Sequence, residues 1–254
     1  MNGFGLLLRK EIQEQTRTMR LLVVAIVLAL FGITSPPLAK YLPEILRAVA
    51  PGQVPPGLIP TPTTADSVAQ ILKNVGQFGA IAAILLAMGS VATEKERGTA
   101  ALVLTKPVSR AGFLVAKLVA ISLNLLLGTV VACALGYVYT AMLFETLPPA
   151  GFVAMTLVLW LSLVVYAALT FLGSTLARSA MAGAGLGLVF MLVTGIVSAL
   201  PNVGRWMPEG LAAPASALAL GRDPGDLWGP LAANVALIAG CAVVAWLVFR
   251  RQEL

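Results

Sequence analysis

The sequence predicts an all-α membrane protein with six transmembrane helices, an amphipathic helix before the first and a short charged cytoplasmic helix between the second and third. Three observations carry this. Of the 254 residues, 59% are hydrophobic and 11% charged, where a soluble domain carries about 25% charged residues. A chain this poor in charge cannot cover its own surface with polar groups. Six uncharged runs, residues 21–39, 74–93, 118–144, 146–177, 179–204 and 227–249, are 19 to 32 residues long, and a spanning helix needs about 20. Lysine and arginine gather at alternate run ends. With the N-terminus taken as cytoplasmic, 12 fall inside and 5 outside, the asymmetry that orients membrane proteins. Both termini are then cytoplasmic, as an even number of spans requires.

The same numbers exclude several functions. The net charge of +6 sits at span ends rather than on one patch, so no nucleic-acid partner is expected. There is no histidine, which removes the commonest general base and metal ligand. Cys133 and Cys241 lie in apolar runs and read as packed, inert thiols. The chain carries no G-x-x-x-x-G-K-[ST] nucleotide loop, no G-x-S-x-G elbow and no H-E-x-x-H zinc site. No catalytic, cofactor or metal site is expected in it.

Residues 1–20 interleave Phe4, Leu7, Leu8, Ile12 and Met19 with Arg9, Lys10, Glu11, Glu14, Arg17 and Arg20. The spacing is helical, so the segment reads as an amphipathic helix on the membrane surface. A solvated leader is the alternative. Two glutamates and a long charged region argue against a signal peptide. Span 1 covers residues 21–35 and is expected to stop before Pro36 and Pro37. The outer segment 36–73 holds eight of the sixteen prolines. Residues 43–50 and 64–72 read as short helices in it, with Thr64 and Asp66 as N-caps.

Span 2 covers residues 74–93. Residues 94–110 follow as the densest charged stretch between apolar runs, with Glu94, Lys95, Glu96, Arg97, Lys106 and Arg110. Thr93 and Glu96 fit the capping box T-x-x-E, so a new helix is expected to start at Thr93 and run to Lys106, where Pro107 stops it. An ordinary positive-inside loop is the bland alternative. Span 3 covers 113–143, with Ser109 as its cap. Span 4 covers 150–175, after Pro148 and Pro149. A tight turn near residues 176–183 leads to span 5, residues 182–200. Gly183, Gly185 and Gly187 there form a weak small-residue packing pattern. Residues 201–227 form an outer segment edged by Trp206 and Trp228. Its uncharged stretch 211–220 is too short to span and suits a re-entrant piece. Span 6 covers 228–249. No Asp, Glu, Lys or Arg falls in the central part of a span, which argues against a secondary carrier. Asn124 and Asn234 read as interhelical hydrogen-bonding groups, each worth about 1 kcal/mol.

These residues resemble the permease subunits of type-2 ABC exporters, also called type V ABC transporters. The resemblance rests on R-K-E-x(5)-R at Arg9, Lys10, Glu11 and Arg17, and on E-K-E-R-G-T at residues 94–99. It continues through T-K-P-V-S-R at 105–110 and F-L-x-A-K at 113–117, and ends at Arg250 and Arg251. It covers the whole chain in topology and about 25 residues as a specific motif. It is nearest to the simple permeases of the nitrous-oxide-reductase maturation group. The resemblance implies an interface helix at the N-terminus, with Arg9, Lys10, Glu11 and Arg17. It implies a coupling helix that docks on an ATPase, with Glu94, Lys95, Glu96, Arg97, Gly98, Thr99, Lys106 and Arg110. Residues 176–183 would be a second, smaller contact, and residues 201–228 would hold re-entrant helices, although Pro208 and Pro214 interrupt them.

It implies further that two permease copies, as a homodimer, work with two ATPase subunits that bind ATP and Mg. The setting would be a prokaryotic inner membrane, and substrate would pass at the permease–permease interface. Glu94 and Glu96 would cap the helix and meet basic groups of the ATPase. Lys95 and Arg97 would meet its acidic groups or lipid phosphates, and Gly98 would allow close approach. Two other readings remain: a membrane anchor that transmits force without transport, and a secondary carrier.

Overall fold

A chain that crosses a bilayer must pair every backbone N–H and C=O within itself, so long apolar runs become helices. The computed structural model describes residues 3–49, 61–98 and 109–252, and among these there is no strand. Helix α1 (Gly3–Arg17) is followed by α2 (Arg20–Val49), α3 (Thr64–Ala87) and the single turn α4 (Ala92–Glu96). Then come α5 (Arg110–Leu143), α6 (Pro149–Leu176) and α7 (Ala180–Ser198). Two 3₁₀ turns (Gly204–Trp206 and Pro208–Leu211), the short α8 (Ala212–Ala219) and α9 (Trp228–Arg250) complete the chain. Six helices, α2, α3 with α4, α5, α6, α7 and α9, are long and apolar enough to span.

Helix α6 is the hub. It packs on α3, α5, α7, α8 and α9 and is the most buried span. Helix α2 lies against α5 and α3, with Phe31 stacked on Phe78. Apolar contact gives little drive for association in lipid, so close backbone approach through small residues does the work. A Cβ on Gly32 would overlap the Ala132 carbonyl of α5, and one on Gly183 would overlap the Met88 carbonyl at the end of α3. Gly187 lies equally close to Thr170 of α6, whereas Gly185 faces open space. The small-residue pattern in span 5 therefore has two working members, four residues apart, on one helix face.

Three boundaries differ from the sequence reading. Helix α2 does not stop before Pro36. It runs on through Pro36, Pro37 and Pro43. Beside the prolines, Thr34 Oγ1 donates to the Leu30 carbonyl at 2.8 Å, and Asn74 Nδ2 ties α3 to this stretch by donating to Ser35 Oγ at 3.0 Å. Neighbouring helices and hydroxyls are what make proline tolerable in membrane helices. Residues 64–72 are not a separate loop helix but the first turns of α3. Its cap is Thr63, whose N–H and hydroxyl both donate to the Asp66 carboxylate at 2.7 Å. The segment 201–227 forms one short helix after two 3₁₀ turns, not a pair of half-helices. It folds back onto α6, where a Cβ on Gly151 would overlap the Leu218 carbonyl.

Candidate functional site: a charged layer joining α1, α4 and α5

Helix α1 meets the bundle through Leu7, Glu11 and Gln15, which are four residues apart and buried. Its apolar residues Phe4 and Leu6 are exposed, as is Met19 just beyond it. The sequence reading laid this helix on the membrane surface and named no face packed on the bundle. The packed face is half polar, and its i, i+4, i+8 spacing was the available signal.

What Glu11 meets is Lys117, on the second turn of α5. Lys117 is 3% exposed, and its ammonium lies 3.0 Å from Glu11 Oε2 and 2.7 Å from Glu94 Oε1. A lysine is buried this deeply only when paired. Lys10 sits 3.2 Å from Glu11 and 3.4 Å from Glu94, and Glu14 joins at 3.7 Å. Burial lowers the Lys10 ammonium pKa, but Glu11, Glu94 and Glu14 together hold it above the ordinary lysine value of 10.5. A raised lysine contributes fully below 10.5 and is lost only as pH rises beyond it, so these pairs stay intact at neutral pH. One layer down, Asn124 Nδ2 donates to Gln15 Oε1 at 2.7 Å. Asn124 thus bonds α5 to α1 rather than to another span. Asn234 donates to the Trp206 carbonyl at 3.3 Å.

The expected helix between spans 2 and 3 is present but placed differently. It starts at Ala92, and Thr93 lies inside it instead of capping it. The cap comes from α6: Ser174 Oγ accepts from the Val91 and Ala92 N–H groups at 3.2 and 3.1 Å. Nothing in the local sequence signals this, because the partner is 82 residues away. The helix stops at Glu96; its expected end at Lys106 lies outside the described residues. Gly98 takes φ +68°, the left-handed conformation that ends helices, with no neighbour within 4 Å. The geometry therefore makes Gly98 a helix stop.

The remaining site residues divide into two groups. Lys95 turns inward and donates to the Thr175 carbonyl at 2.7 Å, the C-terminal end of α6. Arg110 donates to the Phe249 and Arg250 carbonyls at 3.3 and 2.9 Å, the C-terminal end of α9. Each puts a cation on a helix terminus that carries partial negative charge. Glu96, Arg97 and Gly98 are exposed, as are Arg9, Lys10 and Arg17 of α1. Thr99 and Lys106 lie outside the described residues. A cavity of about 600 Å³ opens between α1, the end of α3 with α4, and α5, lined by Lys10, Glu14, Thr18, Thr93, Arg97 and Lys117 among others. Carboxylate oxygens of Glu11, Glu14 and Glu94 lie within 4.8 Å of one another, but the ammonium groups of Lys10 and Lys117 already stand among them. The layer is a mechanical joint: α1, α4 and α5 meet at one buried cation.

A family model described as ABC-2 family transporter protein matches residues 6–254 of the chain. The chain belongs to the ABC-2 transporter family. It is also similar to the uncharacterized transmembrane protein YxlG of Bacillus subtilis (strain 168), with 30% identity over 255 residues and 97% of each chain covered. This ABC-2 protein is thus a multi-pass membrane permease of the ABC transporter class. Such permeases are transport subunits that operate with an ABC ATPase.

Proposed function

We propose that this chain is the membrane subunit of an ATP-driven exporter, with a separate ATPase docking on the exposed faces of α1 and α4. The observation that carries this is Lys117, buried at 3% exposure between Glu11 of α1 and Glu94 of α4. A push on the one-turn helix α4 cannot move it alone. The ion pairs take α1 and α5 along, and Ser174 and Lys95 take the end of α6. Two permease copies and two ATPases would form the working unit, with ATP and Mg on the ATPases. Glu96 and Arg97 would form the docking contact. Glu94 and Lys95, committed to partners within the chain, would transmit force. The cavity of about 700 Å³ between α3, α6 and α7 supports transport over a force-transmitting anchor.

The structure also chooses the test. Changing Glu94 would strand a buried lysine and disturb folding. The variant Glu96→Lys/Arg97→Glu changes exposed groups only. From native membranes in mild detergent, the wild-type chain should co-purify a subunit with a nucleotide-binding loop and stimulate its ATP hydrolysis. In the double variant, recovery of that subunit should fall at least about tenfold, the effect of losing one good charged contact, at an unchanged amount of permease. Equal recovery would remove these two residues from the docking surface. Absence of any such subunit from the wild-type preparation would sink the exporter reading.

A further inference from the structure

The segment between α7 and α9 carries a carboxylate into the bundle. Pro208 docks on α6, its carbonyl accepting from Ser162 Oγ at 3.3 Å. Glu209 follows, and its Oε1 accepts from Tyr166 of α6 at 2.7 Å and from Thr194 of α7 at 3.1 Å. Its other oxygen, Oε2, is buried and has no hydrogen-bond partner among the described residues. No described lysine or arginine forms an ion pair with it.

The depth of this group matters. Thr194 lies 14 residues beyond Ala180 at the start of α7, about 21 Å along the helix at 1.5 Å per residue. Tyr166 lies 10 residues before Leu176 at the end of α6, about 15 Å along it. The hydrocarbon layer is about 30 Å thick. Thr194 is also only 4 residues, about 6 Å, from Ser198 at the far end of α7, so Glu209 lies within the length of both spans, toward the Ser198 end of α7, although the sequence places it outside every span. The absence of charge from the span centres holds, but it does not extend to the space between the spans. An ionisable group at this depth costs a few kcal/mol and is a functional site by default.

Glu209 and Tyr166 line the cavity of about 700 Å³, a volume that suits a small-molecule ligand. Its walls are apolar, from Leu72, Met191, Leu192 and Ile196, and Gly195 leaves open space on α7. The other charged side chain on the wall, Lys73, and the amide of Gln77 are exposed. A largely apolar chamber with one carboxylate on its wall, in no ion pair among the described residues, suits a ligand with an apolar body and one cationic head.

We propose that Glu209, oriented by Tyr166 and Thr194, binds the ammonium head of an amphipathic amine held in this cavity. As the site of a transported cargo it rests on the exporter reading; as a binding site it does not. The test uses the purified full-length chain in lipid nanodiscs without any ATPase. The probe is dodecylamine, protonated at neutral pH, against dodecanol, with empty nanodiscs as background.

Saturable dodecylamine binding is expected, at least about tenfold tighter than dodecanol, the range of a charge-assisted hydrogen bond. Glu209→Gln keeps an oxygen for Tyr166 and Thr194 and should erase the preference. Tyr166→Phe should weaken it less. Gly195→Trp should fill the cavity and remove binding with Glu209 intact, which decides the matter if Glu209→Gln does not fold. No saturable amine binding overturns the proposal, and so does an unchanged preference in Glu209→Gln or full binding in Gly195→Trp. Amine binding by a chain that recruits no ATPase would keep the site and discard the exporter.

Discussion

Lys117 shows how one residue decides whether a charged layer is stable. A buried ion pair adds little net stability, but breaking it by removing one partner costs about 3–5 kcal/mol because a charge is left unpaired. Lys117→Met leaves Glu11 and Glu94 facing each other around an apolar side chain. Its stability in mixed detergent micelles should fall by about that amount. Adding Glu11→Gln and Glu94→Gln should restore most of it. A loss under about 1 kcal/mol for the single variant would mean that the pair is solvated rather than buried. Two backbone positions give opposite expectations. Met19, at φ 58° between α1 and α2, is 59% exposed and strained by its own Cβ. Met19→Gly should raise the melting temperature, since the left-handed conformation costs a side chain about 1–2 kcal/mol. Gly98→Ala should lower it by a similar strain at the end of α4. The reverse order would remove strain as the explanation at both sites. The sequence reading ran the helix through Gly98 to Pro107, and Met19 carries no signal at all, because methionine has no preference for φ above zero.

At the scale of the element, Gly183, Gly185 and Gly187 of α7 look equivalent in sequence but differ in what lies above them. Gly183→Ala would press a methyl group into the Met88 backbone and should cost about 1–3 kcal/mol or more, because neither backbone can yield. Gly185→Ala meets nothing within 4 Å and should gain up to about 1 kcal/mol from helix propensity. Equal effects at the two sites would mean that α7 does not pack on α3 as described. Most of the spans were legible in advance, since a run of 20 apolar residues has no other use in a bilayer. The ends were not. Proline rules learned in water end α2 at Ser35, but in the bundle α2 packs along α5 and α3 and runs on through Pro43. The T-x-x-E box at Thr93 was outcompeted by Ser174, a cap supplied by tertiary contact. Glu209 was assigned to an outer segment because only the fold of residues 201–227 reveals its depth.

At the scale of the whole molecule, the two chain ends meet at one end of the bundle. Lys117, near the start of α5, holds α1, and Arg110 at the first residue of α5 holds the end of α9. Six spans between them agree with that, and the lysine and arginine count of 12 against 5 favours a cytoplasmic place for this end. The coupling proposal depends on this, since ATP is available on one side only. Single cysteines at three exposed positions test it. Gln13→Cys and Arg178→Cys lie at the α4 end, and Asp223→Cys lies in the segment between α7 and α9. They belong in a background free of Cys133 and Cys241, both buried. A membrane-impermeant maleimide should label the Asp223→Cys variant in intact cells and reach the other two only after permeabilisation. The opposite pattern would place Glu96 and Arg97 outside the cell, where no ATPase could drive them. The charged layer at Lys117 would then be a structural clasp.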